Sequence, residues 1–494
     1  MPDWPRKMFE SRRQHPVAAI TKVLEIIRGN FITILVILFV GGSGDQETLL
    51  NITWILGTII VLLVWGVLSW LRFTYRIEED QLVIEQGVLM RQKLYISKDR
   101  IQVIDITSGI LQRMFGLVEV QVKTAGSGSK EAKISAVTKS VARELREKLR
   151  KEKPAEGTVR EKEQPEKVYR LGAKDLVIAA TTSGRLGVAL SIVGTIFSQV
   201  DQVVSEEQMV RYLEAVIPTT ASTSLIVTTI LFLLVVSWML SFLGTVITYG
   251  NFNVRLKEEE LMISHGIFEQ KQLTIPFNRI QAIQVKEELL RQPFGYATLK
   301  LDSAGYGDEG GKSVMLFPLM QKKRVVDFIR EVLPEYDKSV PAVHPPSRSI
   351  RRYIFRSVLL AVLFIVPVGL LFSFSWYLLL IAIPAAGLGY LQYRDAAVGV
   401  SRETMIMRYR LLSRNTVIIK RYRVQTVQSS VNPFQKREGV AHFTATVASG
   451  REGHEFTVRD LEVEQVTRLW TWPSVYSQPE LLQDEQDVAV LPSF

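Results

Sequence analysis

The sequence predicts an α+β membrane protein: six transmembrane helices in three pairs, each pair followed by a cytosolic module of short strands closed by a C-terminal helix. Three observations predict it. A block of forty residues recurs at fixed spacing, the apolar residues gather into six runs, and the basic residues crowd one side of those runs.

The block runs from Gly87 to Gly126 and returns, 179 positions on and without a gap, as Gly266 to Gly305. Arg100-Ile101-Gln102 becomes Arg279-Ile280-Gln281, Phe115-Gly116 becomes Phe294-Gly295, and Ala125-Gly126 becomes Ala304-Gly305. A worn third copy lies 323 positions beyond the first: Arg423-Val424-Gln425 replaces the Arg-Ile-Gln triplet, and Gly439 and Ala448 fall on Gly116 and Ala125. A repeat of this length governs the fold and has to be read first. At 494 residues the chain has room for about three domains.

In chain order, residues 1–71 hold a basic amino terminus and a first pair of spans, Val23–Val40 and Ile52–Leu71. The second of these carries no charge and has the ~20 apolar residues that a bilayer crossing needs. Trp54 and Trp70 suit its two interfaces. The first soluble module occupies 72–153 and a charged linker 154–174. A second pair, about Leu176–Val200 and Leu225–Ile247, lies within 175–250, with its module at 251–336 and a linker at 337–350. A third pair, about Ile354–Phe372 and Trp376–Tyr393, lies within 351–393, with its module at 394–472 and an acidic tail at 473–494. The later span of each pair keeps the repeat spacing, so the repeating unit is a span plus a soluble module.

Orientation follows from the basic residues. The longer outer loops hold one, Arg211, against Asp45, Glu47, Asp201, Glu206, Glu207 and Glu214. The positive-inside rule then puts both termini and all three modules in the cytoplasm of a multi-pass cell-membrane protein. It also accounts for the net charge of +10 without nucleic acid.

Within each module a short apolar run comes first: Leu82–Ile84, Leu261–Ile263 and Met405–Met407. Val118–Lys123 and His442–Val447 alternate with the period of half-buried strands. Ala125–Gly128 and Gly305–Gly311 have hairpin-turn composition. The closing helices present Val141, Leu145 and Leu149; Val325, Phe328, Ile329 and Val332; and Val463, Val466, Leu469 and Trp470. Several strands followed by one helix make a small sheet or barrel capped by that helix.

Paired spans, the Arg-Ile-Gln block, the Phe-Gly pair, the Ala-Gly turn and a short helix together resemble the bacterial membrane-anchored pleckstrin-homology-like (PH-like) domain of type 2. His15-Pro16 and His344-Pro345 resemble its pre-membrane His-Pro. Three copies on six spans resemble the YdbT-type membrane proteins of bacilli. The third copy departs where Phe115 is matched by Glu438 and Gly87 by Arg410. The resemblance implies three cytosolic PH-like β-barrels, each closed by its C-terminal helix. It further implies a companion membrane protein with one such module and a role in resisting membrane-active antimicrobial peptides.

The candidate binding residues are the repeat block, Arg100, Gln102, Arg279, Gln281, Arg423 and Gln425, and a basic stretch that includes Arg410, Lys420 and Arg421. The arginines read either as anion contacts facing the bilayer or as structural ion-pair and turn residues. The glutamines sit two positions further, on the same strand face, to bond a neighbouring module or local backbone. The basic stretch reads as a headgroup-attracting patch or as a solvated face. Arg185, inside an apolar run, is a candidate intramembrane charge.

Catalytic signatures are missing. There is no cysteine, which removes disulfides, thiolate metal sites and Cys nucleophiles. Gly311-Lys312-Ser313 lacks the first glycine of a phosphate loop, which would be Tyr306, and a strand pattern follows it. The acidic triplets Glu78–Asp80 and Glu258–Glu260 occupy matching turn positions. The five histidines show no zinc spacing, and no Gly-x-Ser-x-Gly elbow occurs. The expectation is a non-catalytic protein without cofactor or metal, whose partners are membrane lipids and a companion protein, with a homo-oligomer left open. The alternatives are a transporter or peptide exporter and a membrane-bound hydrolase.

Overall fold

The computed structural model describes residues 11–29, 45–78, 81–124, 132–149, 167–183, 222–257, 260–304, 313–336, 340–371, 380–449, 453–473 and 490–491, with isolated positions between 187 and 193. The chain divides into two compact units, Met1–Lys257 with Met262–Thr274, and Glu258–Leu261 with Ile275–Phe494.

In the first unit β1 (Arg12–Arg13) leads into helices α1 (Val17–Gly29) and α2 (Asp45–Arg72). Then β2 (Thr74–Glu78), β3 (Gln81–Gln86) and β4 (Gln92–Ser97) return beside β1 in an antiparallel sheet of order β1-β2-β3-β4. A 3-10 turn, Lys98–Arg100, redirects the chain into β5 (Ile101–Ser108). After it come α3 (Ile110–Met114), β6 (Leu117–Thr124), β7 (Ala132–Thr138) and α4 (Lys139–Leu149). The second module repeats the pattern with β8 (Lys167–Arg170), α5 (Ala173–Thr181), α6 (Ser222–Tyr249), β9 (Asn253–Leu256), β10 (Glu260–His265) and β11 (Gln270–Pro276). Strand β5 of the first module pairs with β11 of the second, giving the order β7-β6-β5-β11-β10-β9-β8.

The second unit continues through the 3-10 turn Phe277–Arg279 into β12 (Ile280–Glu287), β13 (Tyr296–Ser303), β14 (Val314–Gln321) and α7 (Lys322–Val332). Next come β15 (Val340–Val343), α8 (Ile350–Leu371), α9 (Ala382–Asp395), β16 (Ala397–Val400), β17 (Thr404–Arg410) and β18 (Arg414–Lys420). A third 3-10 turn, Arg421–Arg423, leads to β19 (Val424–Ser430), α10 (Pro433–Glu438), β20 (Val440–Val447), β21 (His454–Glu462), α11 (Val463–Thr471) and the short β22 (Val490–Leu491). Here β12 pairs with β18 in the order β14-β13-β12-β18-β17-β16-β15-β22, and β19-β20-β21 stand as a three-stranded sheet.

Sequence pattern explains these elements. The apolar runs become β3, β10 and β17, with Leu82–Ile84, Leu261–Ile263 and Met405–Met407 buried on both faces. In β6 and β20 the side chains alternate between core and partly exposed positions along most of each strand, as period-2 strands require. Helix α4 buries Ala142, Leu145 and Leu149, and α7 buries Val325, Phe328, Ile329 and Val332. Helix α11 departs from expectation: Val466 and Leu469 are buried, but Val463 is 41% and Trp470 55% exposed. Trp472 goes inside instead, its Nε1 donating to Ser401 O at 2.7 Å. The third copy is structurally sound where its sequence is worn. Gly116, Gly295 and Gly439 share the left-handed conformation, with φ of 67°, 66° and 64°, which disfavours any Cβ-bearing residue. The Gly109 N to Gln112 Oε1 bond of 2.8 Å recurs at the matched positions as Asn432 N to Gln435 Oε1 at 2.9 Å.

Two expectations need correcting. The first is the barrel. Among the described residues no sheet closes on itself; every one has two ends. At each 3-10 turn the chain leaves one sheet and opens another, and in the first two modules the new sheet's first strand pairs with the following module. A barrel cannot close when its closing edge is already bonded elsewhere.

The second is the count of six transmembrane helices. Among the described residues one helix, α6, has a stretch long and apolar enough to cross a membrane, Ile230–Tyr249. The apolar part described in α2 is Ile60–Arg72. Helix α9 has 14 residues, about 21 Å at 1.5 Å per residue, against a hydrocarbon core of about 30 Å. The first turns of α8 belong to the soluble module, because Arg352 and Arg356 pair with the fully buried Asp460 at 3.2 and 2.7 Å. The remaining parts of the expected spans, the Ala125–Gly128 and Gly305–Gly311 turns, Arg185 and most of the acidic tail lie outside the described residues.

A buried ionic cluster fastens the joint between β12 and β18. Arg410 Nε donates to Asp395 Oδ2 at 2.5 Å, and Arg410 Nη2 donates to Gln292 Oε1 at 3.1 Å. Arg414 Nε donates to Glu287 Oε1 at 2.9 Å, directly across the joint. Burial opposes the charge on Arg414, but the Glu287 carboxylate overrides it and holds the guanidinium pKa above its ordinary value. Removing one partner strands a buried charge, so Arg410→Ala is expected to cost about 3–5 kcal/mol. The thermal midpoint of the detergent-solubilised chain checks this, and an unchanged midpoint would contradict it.

In the same unit His442 is pushed below its ordinary value of 6.5, chiefly by burial, with the nearby arginines adding to it against Asp460. The folded chain therefore binds fewer protons here than the unfolded one below about pH 6.5. This contribution is present above that pH and is lost as pH falls through the depressed value. Melting curves between neutral pH and about pH 5 are expected to show a fall in stability that His442→Gln reduces.

Candidate functional site

The structure distributes the sequence-predicted residues unevenly. Arg100 ends the first 3-10 turn and is exposed; the Gln102 side chain lies outside the described residues. Arg279 is half-buried, and Gln281 is buried with its Nε2 donating to Arg279 O at 3.0 Å. Arg423 Nη2 donates to Asn278 O at 2.6 Å, and its guanidinium lies 4.7 Å from the Tyr422 ring centroid. Gln425 is exposed on β19. Arg410 is buried in the ionic cluster, and Lys420 is 4% exposed with its Nζ 5.5 Å from the Tyr336 ring centroid. Arg421 Nη2 donates to Pro473 O at 3.3 Å. In Arg408, burial followed by the neighbouring Arg414 pushes the guanidinium pKa down.

The cations that converge are others. In the first unit a cavity of about 700 Å³ lies where the β5·β11 joint meets α4. Among the described residues its walls carry seven cations, Arg113, Lys139, Arg143, Arg146, Arg255, Lys257 and Lys271, and no carboxylate. Local structure collects them. Positions 139, 143 and 146 follow helical spacing and share one face of α4, beside the face buried by Leu145 and Leu149. Asn253, Arg255 and Lys257 alternate along β9 and just past it, so they point the same way. Arg113 comes from α3 and Lys271 from β11.

The two modules are held together around this cavity. Arg113 Nη1 donates to Ile267 O at 2.6 Å, and Arg146 Nη2 donates to Thr274 Oγ1 at 3.0 Å. The floor touches the end of α6. His265 Nδ1 and Thr248 O lie 2.8 Å apart, and the His265 ring stacks on Phe252 at 5.7 Å. Ile267 N donates to Ile247 O at 3.0 Å, and Gly266 N to Gly250 O at 2.7 Å. The turn between β10 and β11 thus satisfies carbonyls that the last turn of α6 would otherwise leave open, and with them part of the helix's negative end. The cavity keeps its positive character even beside a helix C-terminus. One acceptor is unsatisfied: Asn253 Oδ1 is buried without a hydrogen-bond partner.

Sequence reasoning missed these cations because each element contributes only one to three of them and they are split between two modules. The 139/143/146 and 255/257 spacings were the available signal. No catalytic constellation emerges among the described residues. Ser449 Oγ and His454 Nδ1 both contact Asp302 Oδ1, at 3.2 and 2.7 Å, so they share one carboxylate instead of forming a relay. No group of three or more His, Asp or Glu positioned for a metal occurs among the described residues.

Fold and site define a class: a membrane protein built from tandem PH-like modules that share sheets. Residues 26–153, 209–335 and 357–474 each match the Bacterial PH domain family, and the chain belongs to it. It is similar to the UPF0699 transmembrane protein YdbT of Bacillus subtilis (strain 168), with 35% identity over 493 residues, covering 94% of this chain and 99% of that protein.

Proposed function

We propose that the protein is a non-catalytic membrane component whose PH-like modules hold anionic lipid headgroups, with the basic cavity of the first unit as the principal site. The observation that carries the reading is seven cations and, among the described residues, no carboxylate around one cavity, at the end of a helix apolar enough to cross a bilayer. Such a concentration of like charge attracts anions. Each Lys or Arg near an anionic surface is worth roughly 1 kcal/mol. The unsatisfied Asn253 Oδ1 favours a headgroup that brings a hydroxyl along with its phosphate, as a glycerol headgroup does.

The modules in this reading face the cytoplasm, since that side of the sequence holds nearly all the Lys and Arg. The role in resisting membrane-active peptides then acquires a mechanism: the protein organises the anionic lipid that such peptides seek.

Lys139→Glu with Arg143→Glu replaces two attractions by two repulsions on an exposed helix face. Anionic lipid co-purified with the full chain in mild detergent is expected to fall at least about tenfold, while neutral lipid is unchanged. In cells lacking the native protein, the double variant is expected to leave peptide sensitivity high where the native chain lowers it. Equal lipid retention by both proteins would overturn the headgroup reading.

The topology is checked by thiol labelling, which the cysteine-free chain makes clean. Ser140→Cys and Arg402→Cys are expected to react with an impermeant reagent only after the membrane is opened. Labelling of either in intact cells would reverse the assigned side.

A further inference from the structure

The chain makes the same inter-module joint twice. In the first, Gln270, Lys271 and Gln272 of β11 lie opposite Ser108, Thr107 and Ile106 of β5. In the second, the repeat equivalents of these residues lie opposite one another again: Arg414, Asn415 and Thr416 of β18 against Glu287, Lys286 and Val285 of β12. The register is conserved through both joints although the side chains differ. Each joint therefore takes the strand after the 3-10 turn of one module and the strand before that turn of the next.

Two strands remain over. β4 is the strand before the turn in the first module and forms the end of its sheet. β19 is the strand after the turn in the third and forms the end of its own. Their repeat equivalents, β11 and β18 for β4, and β5 and β12 for β19, are paired on both edges. Their exposure carries the mark of a missing neighbour. Strand β12 is buried at every residue but Lys286, whereas Gln425, Thr426, Gln428, Ser429 and Ser430 of β19 are exposed. Strand β18 buries its last five residues, whereas β4 buries one, Ile96, and leaves Tyr95 53% exposed. Natural edge strands are guarded by charge, proline or a bulge. β19 has seven residues with neither a charge nor a proline, and its one irregularity, at Gln425, recurs at the matched positions of β5 and β12, which pair all the same.

We propose that β19 of one copy pairs antiparallel with β4 of a second copy, repeating the internal joint between chains. The conserved register sets the contacts: Gln92 opposite Ser430, Tyr95 opposite Val427 and Ile96 opposite Thr426. Tyr95 with Val427 corresponds to the observed Ile418 with Ile283. The two surfaces differ, so the contact is head-to-tail, and repetition yields a ring or a linear array in the membrane plane. The joint lies apart from the basic cavity, so it stands or falls independently of headgroup binding.

The absence of cysteine allows a direct test. Differently tagged full-length chains carrying Tyr95→Cys and Val427→Cys are co-expressed and membranes are oxidised. A cross-linked dimer containing both tags is expected, at least tenfold above the pairing of Tyr95→Cys with Gln428→Cys, which is out of register. No dimer above that control would overturn the proposal. So would a disulfide formed within one chain carrying both substitutions in place of a dimer, or capture of a different polypeptide by Val427→Cys with none of the Tyr95→Cys chain.

Discussion

The hydrogen-bonding demand of one strand edge organises this protein. After each 3-10 turn the chain enters a strand that is hydrogen-bonded on one side to the next strand of its own module. In β12 almost every side chain is also buried, so an open edge would leave backbone N–H and C=O groups without water, at about 1–3 kcal/mol each. The following module supplies the missing partner through β18, and β11 does the same for β5. Sheets of seven and eight strands result where three separate barrels were expected. β19 has no following module in its own chain, and its exposed residues are glutamine, threonine and serine, which water serves until another strand covers the edge.

Electrostatics then divides the cations between two uses. Around the second joint they are consumed internally. Arg410 and Arg414 answer Asp395 and Glu287, and Arg352 and Arg356 answer Asp460. Around the first joint Gln270 faces Ser108 and Lys271 faces Thr107, with no carboxylate opposite, and Arg113 and Arg146 donate to Ile267 O and Thr274 Oγ1. Among the described residues no carboxylate lines that cavity. The same repeated joint is therefore a closed ionic staple in one place and an open basic hollow in the other. The difference rests on the presence of Glu287 and Asp395 at the second joint.

The sequence made the repeat legible because identical backbone tasks need identical residues. Left-handed glycines at 116, 295 and 439 and apolar runs that become β3, β10 and β17 survive even where the rest of the block has drifted. The closing helices were readable from their spacing, apart from the exposed Val463 and the exchange of Trp470 for Trp472. Apolar length was a poorer guide to the spans. Helices such as α8 carry arginines whose charge answers a carboxylate in a soluble module, which no one-dimensional count reveals.

What the sequence determined alone is the number of modules, their strand and helix content, and the concentration of basic residues, all of which depend on neighbours a few positions apart. The tertiary structure decided which strand edges meet, and hence that sheets run between modules instead of closing. It also decided which cations are neutralised, and that α3, α4, β9 and β11 aim theirs into one cavity. Most of those outcomes depend on residues more than a hundred positions apart, where backbone hydrogen bonds and charge pairing choose among partners that the local pattern makes equally suitable.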